Sequence, residues 1–260
     1  FMQHGWKLKR LHRLILTSTA YRQSSRRDPP QERRDPENHL YWRKPVQRLD
    51  AEAFRDAILA TSGSWNRRMF GPPVPVRPDV HGQIVVGEDK TTGDNKMPVE
   101  TPLHGEEFRR SVYIQVRRSR PLAMLHAFDA PVMEVNCERR QSSTVATQSL
   151  MLMNSQFLLD QAALFASRLE KEAGTDPVAR IRRGWFLALQ RLPSPAEQAA
   201  ALAFLQEQVA HLASLPAPAA DDKAGKESPA KDVPRPTPEQ QALINLGHVL
   251  LSSNEFLYVD

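Results

Sequence analysis

The chain has 260 residues, 40% of them apolar, which is enough for an ordinary buried core. A single cysteine excludes an intramolecular disulfide, a CxxCH haem attachment and a multi-cysteine zinc site. The formal charge of +5 comes from 26 arginines and 9 lysines against 30 acids; the arginines are scattered opposite nearby carboxylates, as in RRDPPQERRDPE, with no helix-turn-helix, RNP or zinc-finger pattern, which argues against a nucleic-acid partner.

In GWKLKRLHRLILTSTAYRQSS, Leu8, Leu11 and Ile15 recur at helical spacing, with Leu14 widening the stripe and Lys7, Lys9, Arg10 and Arg13 on other faces. The pattern predicts an amphipathic helix over about 6–17. A chain opening on Phe1 reads as an excised segment, and exposed apolar surface is expected near residues 1–20. No signal-peptide zoning is present at its start, and no run approaches the roughly 18 uncharged apolar residues of a transmembrane segment. Asp28, Pro29, Pro30, Asp35 and Pro36 break the chain, and ENHLYWR reads as a short helix. Over 50–62, Asp50 stands at the N-cap, Leu49 and Phe54 suit a hydrophobic staple, and Gly63 falls where a C-terminal cap belongs.

Residues 64–110 are rich in Pro and Gly, which forbids long helices. QIVV is a candidate strand, and RRSVYIQVRR a better one, because Val112, Ile114 and Val116 alternate with polar residues. Helical patterning returns in PLAMLHAF and in the long apolar stretch SLMLMNSQFLLDQAALFASRLEKEAG, bent near Asn154 and Ser155. Asp176 with Pro177, and Ser194 with Pro195 and Glu197, start two consecutive capped helices, an αα-hairpin. The Ala, Pro, Asp and Lys composition of 215–238 predicts a disordered linker before a last helix. These elements make a mainly α (α+β) protein: a multi-helix bundle with a small β-sheet and loop insertion around residues 70–118. The whole of 1–260 reads as one C-terminal helical domain truncated at its N-terminus.

The residues between FDAP and the next helix concentrate chemistry. Arg139 and Arg140 with Ser142, Ser143 and Thr144 form a candidate anion-binding corner, since guanidinium forks and hydroxyls ahead of a helix N-terminus suit sulfate, phosphate or carboxylate. The structural alternative is that one arginine bonds carbonyls of the irregular segment while the hydroxyls cap the helix. Asp129 reads as a turn residue accepting backbone N–H bonds, or as the partner of Arg139 or Arg140, in preference to a general base. Cys137 reads as a small packing residue, its nearest imidazole in sequence being His126. Gln148 and Asn154 read as amides that satisfy buried backbone groups. His81, Glu88, Asp89, Asp94 and His104 match neither HExxH nor calcium-loop spacing, so no metal site is expected. Tryptophans on helical faces are expected in the core, with Trp65 placed for exposure.

GWKLKRLHRLILTSTAYRQSS, RLDAEAFRDAIL, GPPV, RRSVYIQVRRSRP, FDAP, the run from Cys137 to Asn154 and LLSSNEFLYVD occur in an order that resembles the C-terminal domain of unknown function 1553 of planctomycete-type secreted multidomain proteins, the Planctomycete PSD family. The resemblance implies an exported, periplasmic or cell-surface location, upstream domains of the same polypeptide as partners, and haem c in a cytochrome-c-like neighbour, with no cofactor in this segment. It is compatible with a non-catalytic module that binds an anionic glycan, or with a component of a polysaccharide-degrading or redox enzyme whose site is shared upstream. Where similar sequences read TPLQAL or VAPQAL, this chain has Val145-Ala146-Thr147-Gln148-Ser149-Leu150 without the proline, which would loosen the turn, while Thr147 is placed to cap the following helix.

Overall fold

The computed structural model describes residues 1–90, 99–131, 140, 142–215 and 236–259. Most of the linker expected over 215–238 therefore lies outside the described residues, as do Cys137, Arg139 and Asp94. The chain divides into two compact units, Phe1–Leu49 with Tyr258–Asp260, and Asp50–Leu257.

In the first unit, α1 (Leu8–Leu16) forms where the apolar stripe predicts it, and none of its residues is buried. Leu8, Leu14, Ile15 and Leu16 are exposed, and so is Trp6, contrary to the core position expected for it. Pro29 and Pro30 do not break the chain but open α2 (Pro29–Arg34), where the first-turn N–H groups they lack have no helical partner anyway. ENHLYWR is not a helix. The carboxylate of Asp35 accepts the amides of His39 (2.9 Å) and Leu40 (2.8 Å), its carbonyl accepts Trp42 Nε1 (2.9 Å), and Asn38 and Tyr41 take positive φ, so these residues form turns around one aspartate. Strand β1 (Gln47–Arg48) pairs antiparallel with β6 (Tyr258–Val259).

The second unit holds the core. Helix α3 (Ala51–Ser62) buries Ala51, Phe54, Ile58 and Leu59 and ends on Gly63 in the left-handed region at φ 81°. Asp50 occupies the N-cap position without making a capping bond. The orphan carbonyls at the other end of α3 are satisfied by Arg168, whose Nη1 donates to Ala60 O (3.0 Å) and Thr61 O (2.8 Å). The apolar run after residue 145 splits at Ser155 into α5 (Ala146–Asn154) and α6 (Gln156–Ala173), following the five-residue α4 (Ala123–Ala127). Helices α7 (Pro177–Leu189) and α8 (Pro195–Ser214) start as their caps dictate: Asp176 accepts Val178 N and Ala179 N, and Ser194 and Glu197 form a reciprocal capping box. Helix α9 (Pro238–Leu251) packs on α6 and α8, and α10 (Asn254–Leu257) closes over α7. Phe54 meets Phe128 at 4.9 Å and Phe256 at 6.0 Å between ring centroids; each such aromatic pair contributes about 0.5–1.5 kcal/mol beyond area burial.

The insertion carries two small antiparallel ladders, β2 (Val76–Pro78) with β3 (Ile84–Val86), and β4 (Glu88–Lys90) with β5 (Val99–Thr101). QIVV is thus a strand, but RRSVYIQVRR is not. Ser111–Tyr113 is a 3-10 turn, Ile114 makes an isolated parallel bridge to Val74, and Val112 and Val116 are exposed. The alternation fails because Asp56 on α3 takes both the amide (2.7 Å) and the hydroxyl (2.8 Å) of Ser111, turning the chain away from an extended course. Val76, Ile114 and Leu122 nevertheless share a small core with Ile84, Val86 and Leu125.

Candidate functional site

The corner between α4 and α5 begins at Phe128, which ends α4, and Asp129, which sits in the left-handed region at φ 61°. From that turn the Asp129 carboxylate reaches forward to Ser143, accepting its amide at 2.8 Å and its hydroxyl at 2.9 Å. Gln148 is buried and completes the tie: Nε2 donates to Ala127 O at 3.1 Å and Ser143 O at 3.2 Å, while Oε1 accepts Val145 N at 3.4 Å. One aspartate and one glutamine thereby satisfy five polar groups of two segments that have no ladder between them.

Helix α5 has Val145 at its N-cap and no side-chain capping bond, with Gln148 supplying the half of a capping box that an apolar N-cap leaves open. Thr147 lies inside the first turn, so the expectation that it caps the helix is corrected. Asn154 donates to Leu150 O at 3.0 Å in its own helix, ending α5 at the break before Ser155.

Arg140 lies at the rim and pairs with the N-terminus of α3. Its Nη1 stands 2.6 Å from Glu52 Oε2, its Nη2 3.0 Å from Glu52 Oε1, and Asp50 Oδ2 lies 3.6 Å from Nη1. Burial works against the charge on Glu52, but the hydrogen bonds from Arg140, a backbone hydrogen bond at Glu52 itself and the Arg140 charge together hold the carboxyl below its ordinary range. Ser142 and Thr144 are exposed. Cys137 and Arg139, the other two predicted members of the set, lie outside the described residues. Among the described residues no cluster of three or more His, Cys, Asp or Glu is placed to hold a metal ion, and no helix is long and apolar enough to cross a membrane.

Two buried arginines went unmarked in the sequence. Arg55, 1% exposed, donates from Nη1 to Arg109 O (2.9 Å) and from Nη2 to Glu107 O (2.6 Å), with its guanidinium 5.3 Å from the Phe157 ring. Desolvation pushes its pKa down to about 10, opposed by the charge of Asp56. Its signal was present: residues 51, 54, 55 and 58 form one helical stripe, so a cation at 55 had to enter the core. Arg109 is fully buried; it bonds Phe70 O (2.5 Å), Pro72 O (3.1 Å) and Glu106 (3.1 Å) and lies 4.1 Å over the Tyr113 ring. Its segment has no period, so nothing local announced it.

A model of the PSD1 family, described as a protein of unknown function (DUF1553), matches residues 1–205, from the first residue into α8. The chain belongs to the PSD1 family. No curated protein and no solved structure gives a significant match. The FDAP turn, the Asp129–Ser143–Gln148 tie, the Arg140–Glu52 pair and both buried arginines all fall inside the region that defines this PSD1 domain.

Proposed function

We propose that this PSD1 chain is a non-catalytic helical module of an exported multidomain protein, serving as a rigid mount for upstream domains, a haem c-bearing cytochrome-like domain among them. The observation carrying the reading is that, among the described residues between FDAP and the first turn of α5, the groups best suited to chemistry are engaged with one another, with backbone or with α3: Asp129 with Ser143, Gln148 with the carbonyls of Ala127 and Ser143, and Arg140 with Glu52. A carboxylate that already accepts an amide and a hydroxyl is a poor base, and a guanidinium held by a carboxylate fork is a poor oxyanion clamp. Their contribution is to fix connections between helices.

The test uses the complete polypeptide on a panel of polysaccharides, comparing wild type with Asp129→Asn and Arg140→Ala. A mount predicts a lower unfolding midpoint in both variants and unchanged turnover per folded molecule. Loss of turnover with an unchanged midpoint would place these residues in an enzyme component instead.

A further inference from the structure

The insertion holds a half-enclosed cleft of about 750 Å³, lined by Pro72, Pro73 and Pro75 and by Leu103, Arg117 and Arg120. We infer that this cleft binds a small organic anion, a carboxylate or sulfate carried on a ring with an apolar face. This goes beyond the role of a mount and concerns a different place in the fold.

The proline wall is built rather than incidental. Val74, between the prolines, donates its amide to Tyr113 O at 2.7 Å and accepts Gln115 N at 2.8 Å, and Pro75 O accepts Gly87 N at 3.0 Å. Just before the wall, Phe70 is held at φ 63°, a conformation costly for a bulky aromatic residue, and remains exposed. Its amide donates to the Tyr113 hydroxyl at 3.2 Å, and its carbonyl, with that of Pro72, accepts from the fully buried Arg109. A strained segment pinned by a buried cation persists only where its surroundings over-determine it, and such segments cluster at ligand clamps.

The electrostatics favour an anion. Glu106 lines the cleft with its carboxylate already shared between Arg68 (2.9 Å) and Arg109 (3.1 Å). A turn closed by Arg120 N donating to Arg117 O at 3.1 Å sets the two rim arginines three positions apart. Arg117 Nε donates to Gln115 Oε1 at 3.0 Å, which orients the guanidinium and leaves its terminal nitrogens available, and Arg120 is an exposed residue of the lining. Glu88 is the remaining carboxylate of the lining, so two guanidinium groups face one acid. Guanidinium forks take carboxylate or sulfate in bidentate fashion, while pyrrolidine rings and Leu103 offer an apolar face to a ring and Gln115 a polar contact for its substituents.

Such an anion has two sources, an aromatic acid or an acidic sugar residue, and the experiment separates them. Benzoate and glucuronate are titrated into the protein, each beside its neutral counterpart, benzamide and glucose, while the amide resonances of Val74 and Gln115 are followed. At least one acid is expected to shift these resonances saturably where its neutral counterpart does not, and the acid that does so identifies the source. In the Arg117→Ala/Arg120→Ala double variant, which alters only exposed side chains, the affinity is expected to fall about tenfold or more, the loss of one or more charge-assisted hydrogen bonds. Arg10→Ala, an exposed change on α1, is expected to leave binding unchanged. Equal response to acid and neutral partner, no response to either acid, or undiminished binding in the double variant overturns the assignment.

Discussion

Arg140 grips Glu52 through both carboxylate oxygens, at 2.6 and 3.0 Å, tying residue 140 to the first turn of α3. Both side chains are about one-third exposed, 38% and 33%, so solvent screens the pair. A double-mutant cycle of Arg140→Ala and Glu52→Ala, read by chemical denaturation, is expected to give a coupling of about 0.5–1 kcal/mol. A coupling indistinguishable from zero would show that the grip contributes nothing to stability.

Arg55 stands in a different regime, because its guanidinium is buried against two carbonyls that have few alternatives. Arg55→Met keeps the apolar stem and strands both acceptors, and is expected to cost about 3 kcal/mol, the scale of a buried charge network broken on one side. Arg55→Lys recovers less than half, because an ammonium cannot span the carbonyls of Arg109 and Glu107 as the planar fork does. Urea unfolding midpoints of the two variants check this; a loss for Arg55→Met within the range of ordinary surface changes would refute it.

Acid sensitivity follows from the paired glutamates. Arg168 and then Arg183 hold the Glu172 carboxyl below the ordinary value of 4.5, and Arg191 with the Ser194 amide pull Glu197 down further. A depressed folded-state pKa means that the unfolded chain takes up protons first as pH falls. Stability from these pairs is therefore complete above about pH 4.5 and declines as pH drops below it toward the folded-state values. Thermal midpoints between about pH 6 and about pH 3 should fall on acidification, and less steeply in Glu197→Gln, which cannot titrate. Equal slopes in variant and wild type would remove Glu197 from the acid response.

Two helical glycines are expected to respond with opposite sign to alanine. At Gly247 in α9 an added Cβ would lie 3.2 Å from the Phe165 ring and 3.4 Å from Ala162 O, a ring edge and a backbone group in the middle of the core. Gly247→Ala is expected to destabilise by about 1–3 kcal/mol through overpacking. At Gly184 in α7 the nearest atoms are methyls of Leu250 and Leu169 at 3.4 and 3.5 Å, which is near ordinary contact. Gly184→Ala is expected to stabilise by about 0.5–1 kcal/mol through reduced backbone entropy of the unfolded chain. Both are read from thermal unfolding, and a shift of the same sign at the two positions contradicts the packing account.

What could be read from the sequence was what neighbouring residues decide. Asp176, Ser194 with Glu197, and Gly63 mark helix ends because their partners lie within a few positions, and these ends stand where the spacing puts them. FDAP marks Asp129 as a turn residue, and its carboxylate accepts a backbone amide from another segment. The donor, Ser143, is 14 positions away, and Glu52, which Arg140 grips, is 88 positions away, distances at which spacing carries no information. The same limit explains the false strand: Val112, Ile114 and Val116 alternate locally, but Asp56 on a distant helix determines the backbone at Ser111. ENHLYWR misled for a related reason, since composition does not reveal that one aspartate will gather the amides of His39 and Leu40.

The family match ends at residue 205, midway along α8, while α9 supplies Leu243, Leu246, Leu250 and Leu251 to the interior and sets Gly247 against Phe165. The stretch that the family model matches is therefore shorter than the stretch that must be made together to shed water from the bundle. A polypeptide trimmed at the end of the match would keep every residue of the FDAP corner and still fail to stay in solution, because α6 would be left with a bare oily flank.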